Sequence, residues 1–202
     1  SLHDALPILN FFNSEDPIGA WEKGKKLKTR VLWVTLTYDA KRCSLDEAWK
    51  TLSYEFNKWV TNLRNRYGQI SYHFQPQAFP GSGSAYGYPH LHGIVLFRDA
   101  EFECFPRNEY DRTGRLALSY RLYAKDELAD QGKWHSFIDV KAISSMKACA
   151  SYLNQHNMGT SYGDRKEAVL NNALTWFYNK HTYTQSRDLK KVLSDLIGKL
   201  HN

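Results

Sequence analysis

"QISYHFQPQAFPGSGSAYGYPHLHGIVLF", residues 69–97, decides the fold of this chain. Its first nine residues, Gln69–Gln77, read as a strand, and "HLHGIVLF" resumes as a second strand. Between them "FPGSGSAYGYP" is a connection rich in turn formers, which predicts a flexible tip. The whole is expected to be an antiparallel hairpin centred near Gly83. On a strand, side chains two apart share a face. His90 and His92 therefore present two imidazoles on one side, with Leu91 on the other. His73, Gln75 and Gln77 line one face of the partner strand, and the hairpin register puts Gln75 across from the histidine pair.

Upstream, "VLWVTLTYD" (31–39) has the β-branched and aromatic content of a buried strand. "SLDEAWKTLSYEFNKWVTNLRNRYG" follows. Ser44 and Glu47 match a capping box, and Leu45, Ala48, Trp49, Leu52, Phe56, Trp59, Val60 and Leu63 recur at helical spacing until Gly68 closes the helix. Downstream, residues 100–133 look polar and irregular, with "ALSYRLYA" as an edge strand. "KWHSFIDVKAI" reads as a strand and "SSMKACASYLNQHNMG" as a helix, and further helices are expected over about 164–180 and 186–199. This order predicts an α+β fold with an antiparallel sheet, most simply ferredoxin-like, with helices packed on it. No glycine fingerprint or P-loop is present.

Composition sets wider bounds. The 202 residues fit one domain, and Lys+Arg 27 against Asp+Glu 21 gives a net charge of +6. That balance permits a nucleic-acid partner without requiring one. Thirteen tyrosines, ten phenylalanines and six tryptophans suit a packed core and could also stack on bases. Three widely spaced cysteines, Cys43, Cys104 and Cys149, make no disulfide framework and point to a reduced, cytoplasmic setting. No apolar run approaches the roughly 18 residues of a membrane span. Residues 1–8, "SLHDALPI", translate a string that looks like a sequencing-library adapter, so they are read as an assembly scar and excluded from the fold. Residues 9–30 are then a basic lead-in, ending in "KGKKLKTR".

Two histidines on one face leave a divalent cation short of ligands, and Gln75 offers an amide oxygen without charge. From these residues alone the pair is either half of a metal site or a polar hairpin face with hydrogen-bonded histidines. A tyrosine on the downstream helix, Tyr152, could serve as a nucleophile towards a phosphodiester whose charge a metal neutralises. It could equally be a packing residue.

Three segments in order, "VTLTYD", "YGYPHLHGIVLF" and "FIDVKAISSMKACASYLNQH", carry a resemblance. They are similar to the three motifs of the HUH endonucleases, most closely the rolling-circle replication initiators (Rep proteins) of plasmids and viruses. Residues 173–189 further resemble archaeal plasmid and virus members. The resemblance spans about residues 31–157. It implies an HUH endonuclease domain over 31–160, with the C-terminal helices of 161–202 packed on it.

It further implies Mg²⁺ or Mn²⁺ held by His90, His92 and Gln75, and Tyr152 as the catalytic nucleophile. The reaction implied is nicking and joining of single-stranded DNA at a replication origin through a 5′-phosphotyrosine. Two positions depart from the family pattern. Gln75 is neutral where a carboxylate is commoner. Gln155 stands where a lysine is frequent, so the phosphate-binding role is either absent or taken by Lys147 or His156. Ala148 and His156 occupy the places of a second tyrosine, which implies a single-tyrosine enzyme. The implied partners are origin DNA and the host's replication proteins and helicase, since no helicase motif is present. No membrane partner is expected, and the chain should be a monomer or weak dimer.

Asp139, Thr35 and Thr37 are expected to be structural, Lys141 and Arg187 are candidate phosphate contacts, and Tyr86 and Tyr88 could stack on a base or shape the loop. The rivals are a single-tyrosine HUH transposase, a relaxase, and a non-catalytic single-stranded nucleic-acid-binding module. A relaxase places its tyrosine before the histidines, and here it follows them.

Overall fold

The computed structural model describes residues 27–110, 114–123, 125–143 and 165–189. Among these residues eight strands form one sheet: β1 (Leu27–Thr29), β2 (Val31–Thr37), β3 (Ile70–Ala78), β4 (Pro89–Phe97), β5 (Phe102–Tyr110), β6 (Leu116–Leu122), β7 (Phe137–Ala142) and β8 (Thr184–Gln185). Their spatial order is β1-β5-β6-β7-β2-β4-β3-β8, and every neighbouring pair is antiparallel. Among the described residues three helices accompany them: α1 (Leu45–Tyr67), α2 (Lys125–Gly132) and α3 (Arg165–Phe177). The protein is thus α+β with an open antiparallel sheet. No helix among the described residues is long and apolar enough to cross a membrane.

Period-two patterning divides this sheet into two unlike faces. Leu32, Val34 and Leu36 of β2, Phe74 of β3, Leu91 and Val95 of β4 and Val140 of β7 are buried on one side. α1 covers that side. Ser44 Oγ accepts the Glu47 N–H at 3.2 Å to start the helix, and Gly68 ends it. Its stripe Ala48, Trp49, Leu52, Phe56, Trp59, Val60 and Leu63 is buried as the periodicity predicts. Phe56 and Trp59 reach Phe74 with ring centroids 5.0 and 5.7 Å apart. Burying side chains of this size contributes about 1.5–3 kcal/mol each.

The other face of the same strands carries Trp33, Thr35, Thr37, His73, Gln75, Gln77, His90, His92, Asp139 and Lys141. Their shared side follows from the pairing register.

Residues 100–133 differ from the irregular segment expected. They form the β5–β6 hairpin and α2, and β6 lies inside the sheet between β5 and β7 instead of at its edge. The reason is geometric. β6 meets β7 only at Tyr120–Ala142 and Arg121–Lys141, so most of the hairpin reaches past the sheet with both faces solvated. Such a ribbon has no apolar alternation to read. The basic lead-in likewise ends in a strand, β1, paired with β5. The helix expected over "SSMKACASYLNQHNMG" and most of the one expected over 186–199 lie outside the described residues.

Candidate metal centre

β3 and β4 pair in the register that the hairpin reading requires: Gln75 faces His92 and Gln77 faces His90, with the turn centred at Gly83 and Ser84. Pro76 is tolerated within β3 because its missing N–H lies on the strand's outer side. There β8 covers only His73 and Phe74, and the next outward N–H, that of Ala78, donates to Asn171 Oδ1 of α3 at 2.9 Å.

The tip is more fixed than a flexible connection. The Phe79 N–H donates to Tyr88 O at 2.8 Å, and the Gly87 N–H donates to Phe79 O at 2.9 Å. Trp49 Nε1–H of α1 donates to Gly87 O at 2.8 Å, and Tyr88 Oη donates to Cys43 O at 2.9 Å. Gly87 has φ of +77°, a conformation that glycine adopts without a Cβ penalty. Tyr88 is therefore a buried anchor of the loop and not a stacking platform. Tyr86 is exposed.

These anchors fix the strand start at Pro89, and with it the histidines. His90 and His92 are 6% and 7% exposed, and Gln75 is 3% exposed. The two imidazoles meet edge to face, with centroids 4.4 Å apart. Beside them on β2, Thr35 stands opposite His92, with Oγ1 2.9 Å from His92 Nδ1. A hydroxyl at Nδ1 can accept the ring proton, leaving Nε2 as the lone-pair nitrogen, an arrangement common around metal-ligating histidines. Thr35 is thus more than a strand former. The signal for it was the Thr35–Thr37 spacing, which puts both hydroxyls on the histidine face.

On the far side of Gln75, His73 Nε2 lies 3.4 Å from Gln75 Nε2, and His73 Nδ1 lies 3.3 Å from Gln185 Oε1. Burial lowers the His73 pKa, against an opposing hydrogen bond from Gln185. The ring stacks on Tyr183 at 5.4 Å and 19°. Tyr183 is 46% exposed. Phe79, 38% exposed, stands at the other end of the site, 6.1 Å from His90.

Asp139 faces Thr35 across the β2–β7 ladder, in line with His92 and Gln75. Its carboxylate accepts from Arg121 Nη1 at 2.6 Å. Arg121 also holds Glu109 through two bonds, at 2.6 and 2.8 Å, and Lys141 Nζ approaches Glu109 at 3.4 Å. Asp139 is thus a structural partner of Arg121, as expected, and Lys141 belongs to the same ion cluster. Arg187 is exposed. Tyr152, Lys147, Gln155, His156 and Cys149 lie outside the described residues.

Among the described residues no three His, Cys, Asp or Glu side chains gather as a ligand set. The donors that share one buried stretch of the face are two imidazoles and an amide. They fit a hard divalent cation with open positions for water and phosphate oxygens, more weakly than a set containing a carboxylate. Comparison with protein-family models, with curated proteins and with solved structures finds no match for this chain. The functional reading therefore stands on the geometry and on the sequence motifs.

Proposed function

We propose that this protein is a metal-dependent endonuclease of the HUH type, nicking and rejoining single-stranded DNA at a replication origin. The observation that carries this reading is the ladder Gln75–His92–Thr35, with His90 beside it on the same buried face. The central strand order β7-β2-β4-β3, with α1 linking β2 to β3, supports a ferredoxin-like arrangement of the kind these enzymes use. The exposed rings of Tyr183 and Phe79 at either end of the ligand set suit stacking on unpaired bases.

On this reading His90, His92 and Gln75 hold Mg²⁺ or Mn²⁺, which when bound neutralises and polarises the scissile phosphate. Tyr152 Oη attacks phosphorus, loses its proton to solvent, and forms the P–O bond of a 5′-phosphotyrosine. The bond from phosphorus to the 3′ oxygen breaks, and that oxygen leaves as a 3′-hydroxyl after taking a proton. The free 3′ end primes synthesis, and its later attack on the phosphotyrosine rejoins the strand. Lys147 and His156 are the candidate phosphate contacts of the same reading, with Gln155 at the position where a lysine is frequent, and strand separation falls to a host helicase.

Incubation with Mn²⁺ and a single-stranded origin oligonucleotide should yield a covalent adduct that survives denaturing electrophoresis. Tyr152→Phe should abolish it, and His90→Ala should strongly reduce it. An adduct undiminished in Tyr152→Phe would overturn the nucleophile assignment. Binding without any adduct, over many oligonucleotides and metals, would favour a non-catalytic binding module.

A further inference from the structure

An amide differs from a carboxylate in having two unlike ends. Only its oxygen has lone pairs for a cation, and its nitrogen presents protons. Gln75 is therefore useful to a metal in one orientation and obstructive in the other, so something must set which way it points.

The structure holds a chain of side chains that can do this. Gln185 Oε1, 3.3 Å from His73 Nδ1, is an acceptor only, so the proton between them belongs to His73. A neutral imidazole protonated at Nδ1 has its lone pair at Nε2, which then accepts. Gln75 lies 3.4 Å from that atom through Nε2, its donor end. The amide oxygen is thereby the end turned away from His73, on a strand position that faces His92 in the ladder.

We propose that His73 and Gln185 are positioning residues that orient the Gln75 amide for metal binding. This rests on the metal reading above. The chain is itself well fixed. His73 faces Gln185 in the β3–β8 ladder, and its ring is stacked on Tyr183. It also gives β8, a strand of two residues at the sheet edge, a definite role: it carries Gln185 to a residue 112 positions earlier.

The test uses a property that a merely structural role does not share. In Gln75→Glu the two terminal oxygens are equivalent, so no orienting partner is needed. Binding of Mn²⁺ to the full chain is followed by the loss of the free-ion paramagnetic resonance signal. His73→Phe keeps the ring and removes the acceptor, and it should weaken Mn²⁺ binding about 10- to 100-fold. Gln185→Ala, an edge-strand change, should weaken it in the same direction. In the Gln75→Glu background both substitutions should cost little. Equal losses in the two backgrounds, or no loss in either, would overturn the positioning role while leaving the metal reading in place. No Mn²⁺ binding by the unaltered protein would overturn the metal reading, and this inference with it.

Discussion

His92 Nδ1 lies 2.9 Å from Thr35 Oγ1 on the neighbouring strand, in a ladder position where Gln75 flanks the same histidine from the other side. One histidine is thus gripped by a hydroxyl through Nδ1, and on the proposed reading its Nε2 is the ligand nitrogen. Thr35→Val should lower Mn²⁺ affinity about tenfold, as loss of an outer partner does. Thr35→Ser should keep the affinity of the unaltered protein. Isothermal titration with Mn²⁺ at fixed pH reads both. Unchanged affinity in Thr35→Val would remove Thr35 from the site.

Gly93 follows His92 on the face opposite the histidines, and a Cβ there would lie 2.2 Å from His73 O and 2.5 Å from Phe74 Cγ. Neither backbone nor buried ring can give way cheaply. Gly93→Ala should destabilise the protein by about 2 kcal/mol, which corresponds to a melting temperature lower by roughly 4–8 °C for a chain of this size. A melting temperature within 1 °C or so of the unaltered protein would mean that Phe74 repacks.

Trp49 ties the middle of the molecule to the loop before the histidines by donating to Gly87 O. Trp49→Phe keeps a ring in the core, where Tyr178 stacks on it at 5.7 Å, and removes only the donor and some volume. The expected cost is about 1–2 kcal/mol, with faster amide hydrogen exchange at Gly87 and Tyr88. Exchange unchanged at those two amides would show that the backbone bonds of the tip suffice without Trp49.

Arg121 and Lys141 place a pH-sensitive contribution on the polar face. Hydrogen bonds from Arg121, then the charges of Arg121 and Lys141, hold the Glu109 carboxyl at about 2 instead of 4.5, with burial opposing. A carboxyl whose pKa is depressed by folding stabilises the folded chain fully above its unfolded value and loses that contribution as pH falls through the folded one. Stability should therefore decline between about pH 4.5 and 2, and Glu109→Gln should flatten the decline in that window. Chemical denaturation at stepped pH measures it, and identical slopes would show that the cluster contributes nothing.

Wherever the relevant neighbours are close in sequence, the residues are informative by themselves. α1 announces itself because Ala48, Trp49, Leu52, Phe56, Trp59, Val60 and Leu63 repeat at helical spacing between a serine cap and a glycine stop. The β3–β4 register follows from a hairpin centred near Gly83 and a period of two. That is enough to place Gln75 opposite His92 and His90 on the same face.

Of the β5–β6 hairpin only β6 was legible, because the outer part of both strands meets water on both faces, which erases the alternation that marks a half-buried strand. The pairing of β1 with β5 escaped for a different reason: it joins residues about 75 positions apart, and three residues carry no periodic signal.

By itself, then, the sequence determined the helix, the hairpin and the pair of imidazoles, because local periodicity and a connection rich in turn formers specify those without reference to the rest of the chain. The tertiary structure decided which groups surround them: Thr35 on His92, His73 and Gln185 behind Gln75, and Arg121 on Asp139. Those contacts depend on the order in which strands lie side by side in the sheet. That order is set by burying one continuous apolar face under α1, a property of all the strands together that no single stretch encodes.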